Sequence, residues 1–138
     1  MASKGQMTGM RGVYLVAAEL TRHELIASPT SRSAVGADIL VTDQECKNTY
    51  SVQVKTNAKT FNFWIVGKKA SEYVSDTHIY VLVNIRAKKN GESIEYFVVP
   101  SKVISKKVKC EKATTGSEWY SFYLKDAENY RNRWDFFK

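Results

Sequence analysis

Two neighbouring segments decide the fold: Ala37-Asp38-Ile39-Leu40-Val41-Thr42-Asp43 and Tyr50-Ser51-Val52-Gln53-Val54-Lys55-Thr56. Both are rich in β-branched and aromatic residues, and the polar stretch Gln44-Glu45-Cys46-Lys47-Asn48 between them has the length of a hairpin connection. They read as antiparallel strands over about 37–43 and 49–57. Side chains alternate along a strand, so Gln53 and Lys55 share a face about 7 Å apart, while Val52, Val54 and Thr56 point to the other. An acid at the start of one strand, with an amide and an ammonium on the next, is a chemistry-bearing arrangement. Taken singly, each has a plainer use: Asp38 as a turn residue, and Gln53 and Lys55 as a solvated strand face.

Working outward, Val13, Val16, Ala17 and Leu20 recur at helical spacing, widened by Leu15, Ala18, Leu25 and Ile26. They predict a helix over 11–27 that Pro29 stops. Residues 1–10 read as a flexible leader, and 11–138 as a single domain. A small-residue loop, Thr30 to Gly36, carries Ser31 and Arg32. Phe61-Asn62-Phe63-Trp64-Ile65-Val66 fits a short strand or an aromatic loop. Residues 69–74 fit a helical turn. His78 to Ile85 is unbroken enough for a central strand buried on both faces. Lys88-Lys89-Asn90-Gly91 turns the chain into Glu95–Val99. Ser101 is placed to cap a basic helix to about Lys109. Trp119 to Leu124 reads as an aromatic strand, and Asp126 to Phe137 as a short helix capped by Asp126. This order gives an α/β (α+β) class with a mixed sheet.

The formal charge is +7 and the isoelectric point about 9.4. Such a surface attracts phosphate backbones, although a basic domain without that partner would look the same. Cys46 and Cys110 lie far apart without metal-ligand spacing, so both are expected as free thiols. No apolar run approaches a membrane span, and the N-terminus lacks the apolar core of a signal peptide, which makes a cytoplasmic location the default expectation.

The segments "GADILV" and "YSVQVKTN" resemble the signature of the PD-(D/E)xK nuclease superfamily. That signature is an Asp opening one strand, then Glu or Gln, any residue, and Lys on the next. The helix "GVYLVAAEL", the strands "HIYVLVNIR" and "EYFVVPS", and the closing "NYRNRWDFF" are similar to small stand-alone members, among them archaeal Holliday-junction-resolvase-like proteins. The resemblance spans roughly residues 12–137. It implies a restriction-endonuclease-like core, a central mixed β-sheet flanked by helices. Two positions depart from the pattern. Ala37 stands where a proline is usual. The acid often found early in the first helix falls near Gly12 and Val13. Glu19, seven residues on, faces almost the same way as Gly12 and is the candidate replacement; its plainer use is a pair with His23.

The resemblance implies a metal-dependent endonuclease acting on DNA, on branched or nicked substrates. Asp38, Gln53, Lys55 and Glu19 would be its catalytic residues. Asp38, Gln53, the Val54 backbone carbonyl and Glu19 would hold Mg²⁺, with Mn²⁺ as a substitute. Lys55 would orient or deprotonate the attacking water and offset developing charge. Ser31, Arg32, Lys59, Lys68 and Lys69 are the candidate DNA contacts, and Lys102, Lys106 and Lys107 add positive charge on the basic helix. Phe61, Phe63 and Trp64 could stack on an unpaired base, with core packing expected for at least two of them. Cutting both strands implies a homodimer; no small-molecule cofactor and no membrane partner are expected. The competing reading is an inactive nuclease-fold module that binds nucleic acid or a protein.

Overall fold

The computed structural model describes residues 1–31 and 36–137. Helix α1 runs over Lys4–Arg22. Its start is fixed by a capping box: the Gln6 N–H donates to Ser3 Oγ at 3.1 Å, and the Ser3 N–H donates to Gln6 Oε1 at 2.8 Å. Residues 4–10, expected as a flexible leader, are therefore the first turns of this helix. Its end comes earlier than expected. His23 is the C-cap and Glu24 takes a left-handed φ of 64°. Leu25 and Ile26 are thus not helical; Ile26–Pro29 forms strand β1.

Strands β2 (Ile39–Thr42) and β3 (Thr49–Asn57) are the expected antiparallel pair, in the register Ile39–Val52. The chain then makes β4 (Phe63–Ile65), the short helix α2 (Lys69–Glu72) and β5 (His78–Lys88). Strand β5 lies parallel to β3 and is hydrogen-bonded on its other side to β6 (Gly91–Pro100). The main sheet is mixed, ordered β1-β2-β3-β5-β6. Residues 78–85 of β5 are all buried, because both faces of this interior strand are covered.

On one face α1 buries Val16 and Leu20 against Val52, Val54, Val81 and Val83, with Trp134 and Phe137 closing the end. On the other, Tyr80, Leu82, Phe97 and Val99 pack against Trp64, Phe122 and Ile104. That second layer consists of α3 (Ser101–Lys107) and a small antiparallel sheet, β4-β8-β7, with β7 at Lys109–Lys112 and β8 at Glu118–Tyr123. Strand β7 occupies the end of the segment expected to be helical. Pro100, not Ser101, caps α3; the buried Ser101 hydroxyl bonds both the Ser75 N–H and the Ser75 carbonyl. The closing helix is also shorter than expected. It begins one residue after Tyr123 as α4 (Leu124–Ala127), and two 3₁₀ turns, Glu128–Tyr130 and Trp134–Phe136, complete the segment.

Gly12 marks the closest approach of α1 to the sheet. A Cβ there would lie 1.8 Å from Thr56 Oγ1. Only a glycine lets the helix backbone rest so near β3, and this contact sets where the first half of α1 stands.

Candidate functional site at the open edge of β3

Strand β2 begins at Ile39, opposite Val52. Beyond that point, among the described residues, no strand pairs with β3 on the β2 side, and its edge is open from Gln53 onward. The paired register ends at Ile39–Val52, and Asp38, one residue earlier, is tied to the same Val52 rather than continuing the ladder. Asp38 is held there by backbone bonds on both sides. Its N–H donates to the Val52 carbonyl at 2.8 Å, and its carbonyl accepts from the Thr30 N–H at 2.9 Å. The carboxylate then does what the missing strand would have done: the Val54 N–H donates to Asp38 Oδ2 at 2.8 Å. A residue's N–H and C=O leave a strand on the same side, so the Val54 carbonyl faces this gap as well.

The gap opens into a cleft of about 350 Å³ lined by Asp38, Gln53, Val54 and Lys55, with Thr30 and Ser31 on the loop side. Its far wall is α1, through Gln6, Gly9, Met10 and Val13. These four residues follow i, i+3, i+4, i+7 spacing and so form one helix face. Gln6 was missed in the sequence because the helix was expected to start at residue 11. The Ser3-x-x-Gln6 capping-box pattern was the signal that extends it. Two further clefts join along β3. Gln53 also lines one of about 780 Å³ with Lys68, Lys69, Tyr73 and His78. Lys55 also lines one of about 600 Å³ with Lys4, Lys59 and Phe61.

The electrostatics are simple. Asp38 brings one negative charge and Lys55 one positive. Among the described residues Lys55 has no ion-pair partner within 4.0 Å. No group of three His, Cys, Asp or Glu side chains that could hold a metal occurs among the described residues. Glu19 does not join Asp38. It accepts from Arg22 Nε at 3.0 Å and lies 3.8 Å from His23 Nε2. It stands six residues beyond Val13, about 9 Å further along the helix axis. Gly12, whose direction it shares, turns to Thr56 rather than to the cleft. The plainer use of Glu19, as a partner for its own helix turn, is the one the structure displays.

The other candidates divide among the clefts. Ser31 lines the first, Lys68 and Lys69 the second, and Lys59 the third. Arg32 lies outside the described residues. In the second cleft His78 is buried, and its Nδ1 is 2.7 Å from Ser51 Oγ. Burial lowers its pKa, since the charged ring would lose solvation. Trp64 is core, donating from Nε1 to the Val83 carbonyl at 3.0 Å. Cys46 and Cys110 are both free and exposed.

The donors around Asp38 are all oxygens: one carboxylate, one side-chain amide and one backbone carbonyl. That chemistry suits a hard cation such as Mg²⁺, which keeps several waters, and a single anionic ligand makes the affinity low. Gln53 and Lys55 on one face beside Asp38 can therefore position a cation, a water and an anionic substrate together.

No family model matches the chain, and no curated protein matches its sequence. The mixed five-stranded sheet flanked by helices is nonetheless a resolvase-type nuclease fold. One solved structure it is similar to is that of Archaeoglobus fulgidus Hjc, a Holliday junction resolvase from an archaeal hyperthermophile. The TM-score is 0.53 at 11% identity, over 88% of this chain and 93% of that one. Likeness at that identity is likeness of fold. Among the described residues no helix is long and apolar enough to cross a membrane.

Proposed function

We propose that this chain is a metal-dependent endonuclease of the PD-(D/E)xK type that hydrolyses phosphodiester bonds of branched or nicked DNA. The observation that carries the reading is the meeting of Asp38, Gln53, Val54 and Lys55 in one cleft at the open edge of β3. The resolvase-type fold and the net charge of +7 support the same substrate class.

Asp38, the Gln53 amide oxygen and the Val54 carbonyl would hold Mg²⁺, or Mn²⁺ in its place. When bound, the ion supplies a Lewis acid that lowers the pKa of water and clamps phosphate oxygens. Lys55 donates hydrogen bonds to the attacking water and then to the oxygen on which charge develops. Ser31 on the loop, and Lys59, Lys68 and Lys69 in the flanking clefts, hold phosphates away from the cut without reading sequence. A homodimer supplies the second centre that cleavage of two strands requires.

Plasmid and four-way-junction cleavage in Mg²⁺ or Mn²⁺, comparing wild type with Lys55→Ala and Asp38→Ala, tests the reading. Each substitution should lower the rate by about 10²–10³-fold. Cutting that survives both would remove the site. One observation favours the inactive-module reading: among the described residues Asp38 is the only carboxylate in the cleft lining. That alternative requires salt-dependent DNA binding with no metal-dependent cutting, and no activity gained by Gln53→Glu.

A further inference from the structure

Past Lys55, strand β3 leads into the third cleft, whose lining among the described residues holds Lys4, Lys55 and Lys59 and no acidic residue. Its outer lip is the turn 58–62. This turn is fastened from beneath by side chains of the sheet. Asn57 Nδ2 donates to the Phe61 carbonyl at 2.7 Å and to Asn84 Oδ1 at 3.3 Å, and Asn57 Oδ1 accepts from the Lys59 N–H at 3.0 Å. Arg86 donates from Nη2 to the Phe61 carbonyl at 3.0 Å and from Nη1 to the Lys59 carbonyl. The Asn62 carbonyl accepts from the Leu124 N–H at 2.8 Å. The backbone is ordered by the protein itself, with no ligand needed to fix it.

This fastened turn presents an aromatic ring to solvent. Phe61 is 51% exposed, although Trp64 three residues on is 3% exposed. Phe61 stacks on Phe63 with centroids 5.3 Å apart and planes at 23°. One face of the pair is thus backed by a second ring, and the ring stands in a cleft whose charged lining, among the described residues, is three ammonium groups. A flat π surface beside cations suits a ligand that is flat and anionic. An unpaired nucleotide has both a free base face and a phosphate. An intact duplex has the phosphates but keeps its base faces stacked internally. A neutral apolar partner would leave the lysines unused.

We propose that the Phe61 cleft binds an unpaired nucleotide of DNA, next to the phosphate that Lys55 serves. The base stacks on Phe61, and Lys4 and Lys59 hold its flanking phosphates. This rests on the nuclease reading for its place beside the cut, and it makes DNA with single-stranded or gapped character the preferred substrate class.

The test measures binding in EDTA, without turnover. The probes are a gapped duplex with 2-aminopurine in the gap, the matching single strand and a blunt duplex. Loss of one base–aromatic stack should weaken binding of the gapped and single-stranded probes about 5- to 150-fold in Phe61→Ala. Blunt-duplex affinity should change less than about twofold. Phe61→Leu keeps an apolar contact with Phe63 but offers no ring, and should behave like Phe61→Ala. Phe61→Trp should restore affinity and quench the 2-aminopurine. Lys59→Ala should weaken all three probes and flatten their salt dependence. Unchanged gapped-probe binding in Phe61→Ala overturns the proposal, as does an equal loss on all three probes. Phe61-dependent binding without metal-dependent cutting would leave the stack standing and sink the nuclease. Cutting with no Phe61 dependence would do the reverse, and absence of any DNA binding would sink both.

Discussion

Asp38 has a structural duty and a proposed chemical one, and two substitutions separate them. The Val54 N–H donates to Asp38 Oδ2 at 2.8 Å, and Val54 is 8% exposed. In Asp38→Ala that N–H loses its acceptor. A hydrogen bond to a charged group contributes about 1.5–3 kcal/mol, and part is recovered because the half-buried site lets water approach. The expected loss is about 1–2 kcal/mol. For a chain of this size that lowers the melting temperature by roughly 3–10 °C. Asp38→Asn keeps an acceptor oxygen in the same place and gives up only the charge, so its loss should stay below about 1 kcal/mol. Cleavage should part from stability. Both variants lose the anionic ligand, and both should cut about 10²–10³-fold more slowly than wild type. Thermal melts by circular dichroism and initial cleavage rates in Mg²⁺ give the two readouts. If Asp38→Ala melts with wild type, the carboxylate is not completing the strand edge. If Asp38→Asn cuts at the wild-type rate, the charge is not needed and the metal-binding role is wrong.

Gly12→Ala should destabilise the protein by about 1–3 kcal/mol through overpacking against Thr56, despite the gain in helix propensity. Adding Thr56→Ala should restore most of that loss in urea titrations, since it removes the oxygen 1.8 Å from the new methyl and a buried hydroxyl with no hydrogen-bond partner among the described residues. Gln53→Glu should tighten Mn²⁺ binding roughly tenfold by calorimetry, because it adds a second carboxylate to the cleft that Asp38 lines. Burial holds His78 below its ordinary 6.5, so as pH falls the unfolded chain takes up this proton before the folded chain does. The stability His78 protects is complete above about pH 6.5 and is lost as pH drops below it toward the folded value. His78→Asn should flatten that part of the melting-temperature profile, and an unchanged slope would show that other groups set it.

The main sheet was legible because β2, β3 and β5 obey one local rule each. Alternation set Val52 and Val54 on the face away from Gln53 and Lys55, and the unbroken run 78–85 marked an interior strand. What escaped was decided by contacts distant in sequence. Ile26–Pro29 has the apolar residues of a helix end, yet it pairs with Ile39–Thr42 because a left-handed residue at Glu24 redirects the chain. Lys109–Lys112 is strongly polar and becomes a strand only because Glu118–Tyr123 is there to pair with it. The C-terminal segment has the spacing of a helix but unwinds into 3₁₀ turns. There Asn132 donates its N–H to the Tyr96 carbonyl and takes a φ of 55°, which no helix interior accommodates.

The candidate cleft was legible for the same reason as the sheet, and Glu19, which lies with Arg22 and His23 rather than in that cleft, shows the limit of that reasoning. Asp38, Gln53 and Lys55 are at most 17 positions apart in the chain, and the hairpin of β2 and β3 brings them to one cleft. The helix wall depends instead on where α1 starts and on which residue lets it approach β3. The capping box moves the start to Lys4, and Gly12 fixes the contact with Thr56. Those two facts set Gln6, Gly9, Met10 and Val13 over the cleft and carry Glu19 past it. The cleft exists because β2 stops short. A longer β2 would pair with Val54 and close the gap, whereas a β2 that ended without Asp38 would leave the Val54 N–H unpaired. The residue that completes the strand edge is thus also, among the described residues, the cleft's only carboxylate, so the acid cannot be lost without cost to the sheet that positions Gln53 and Lys55.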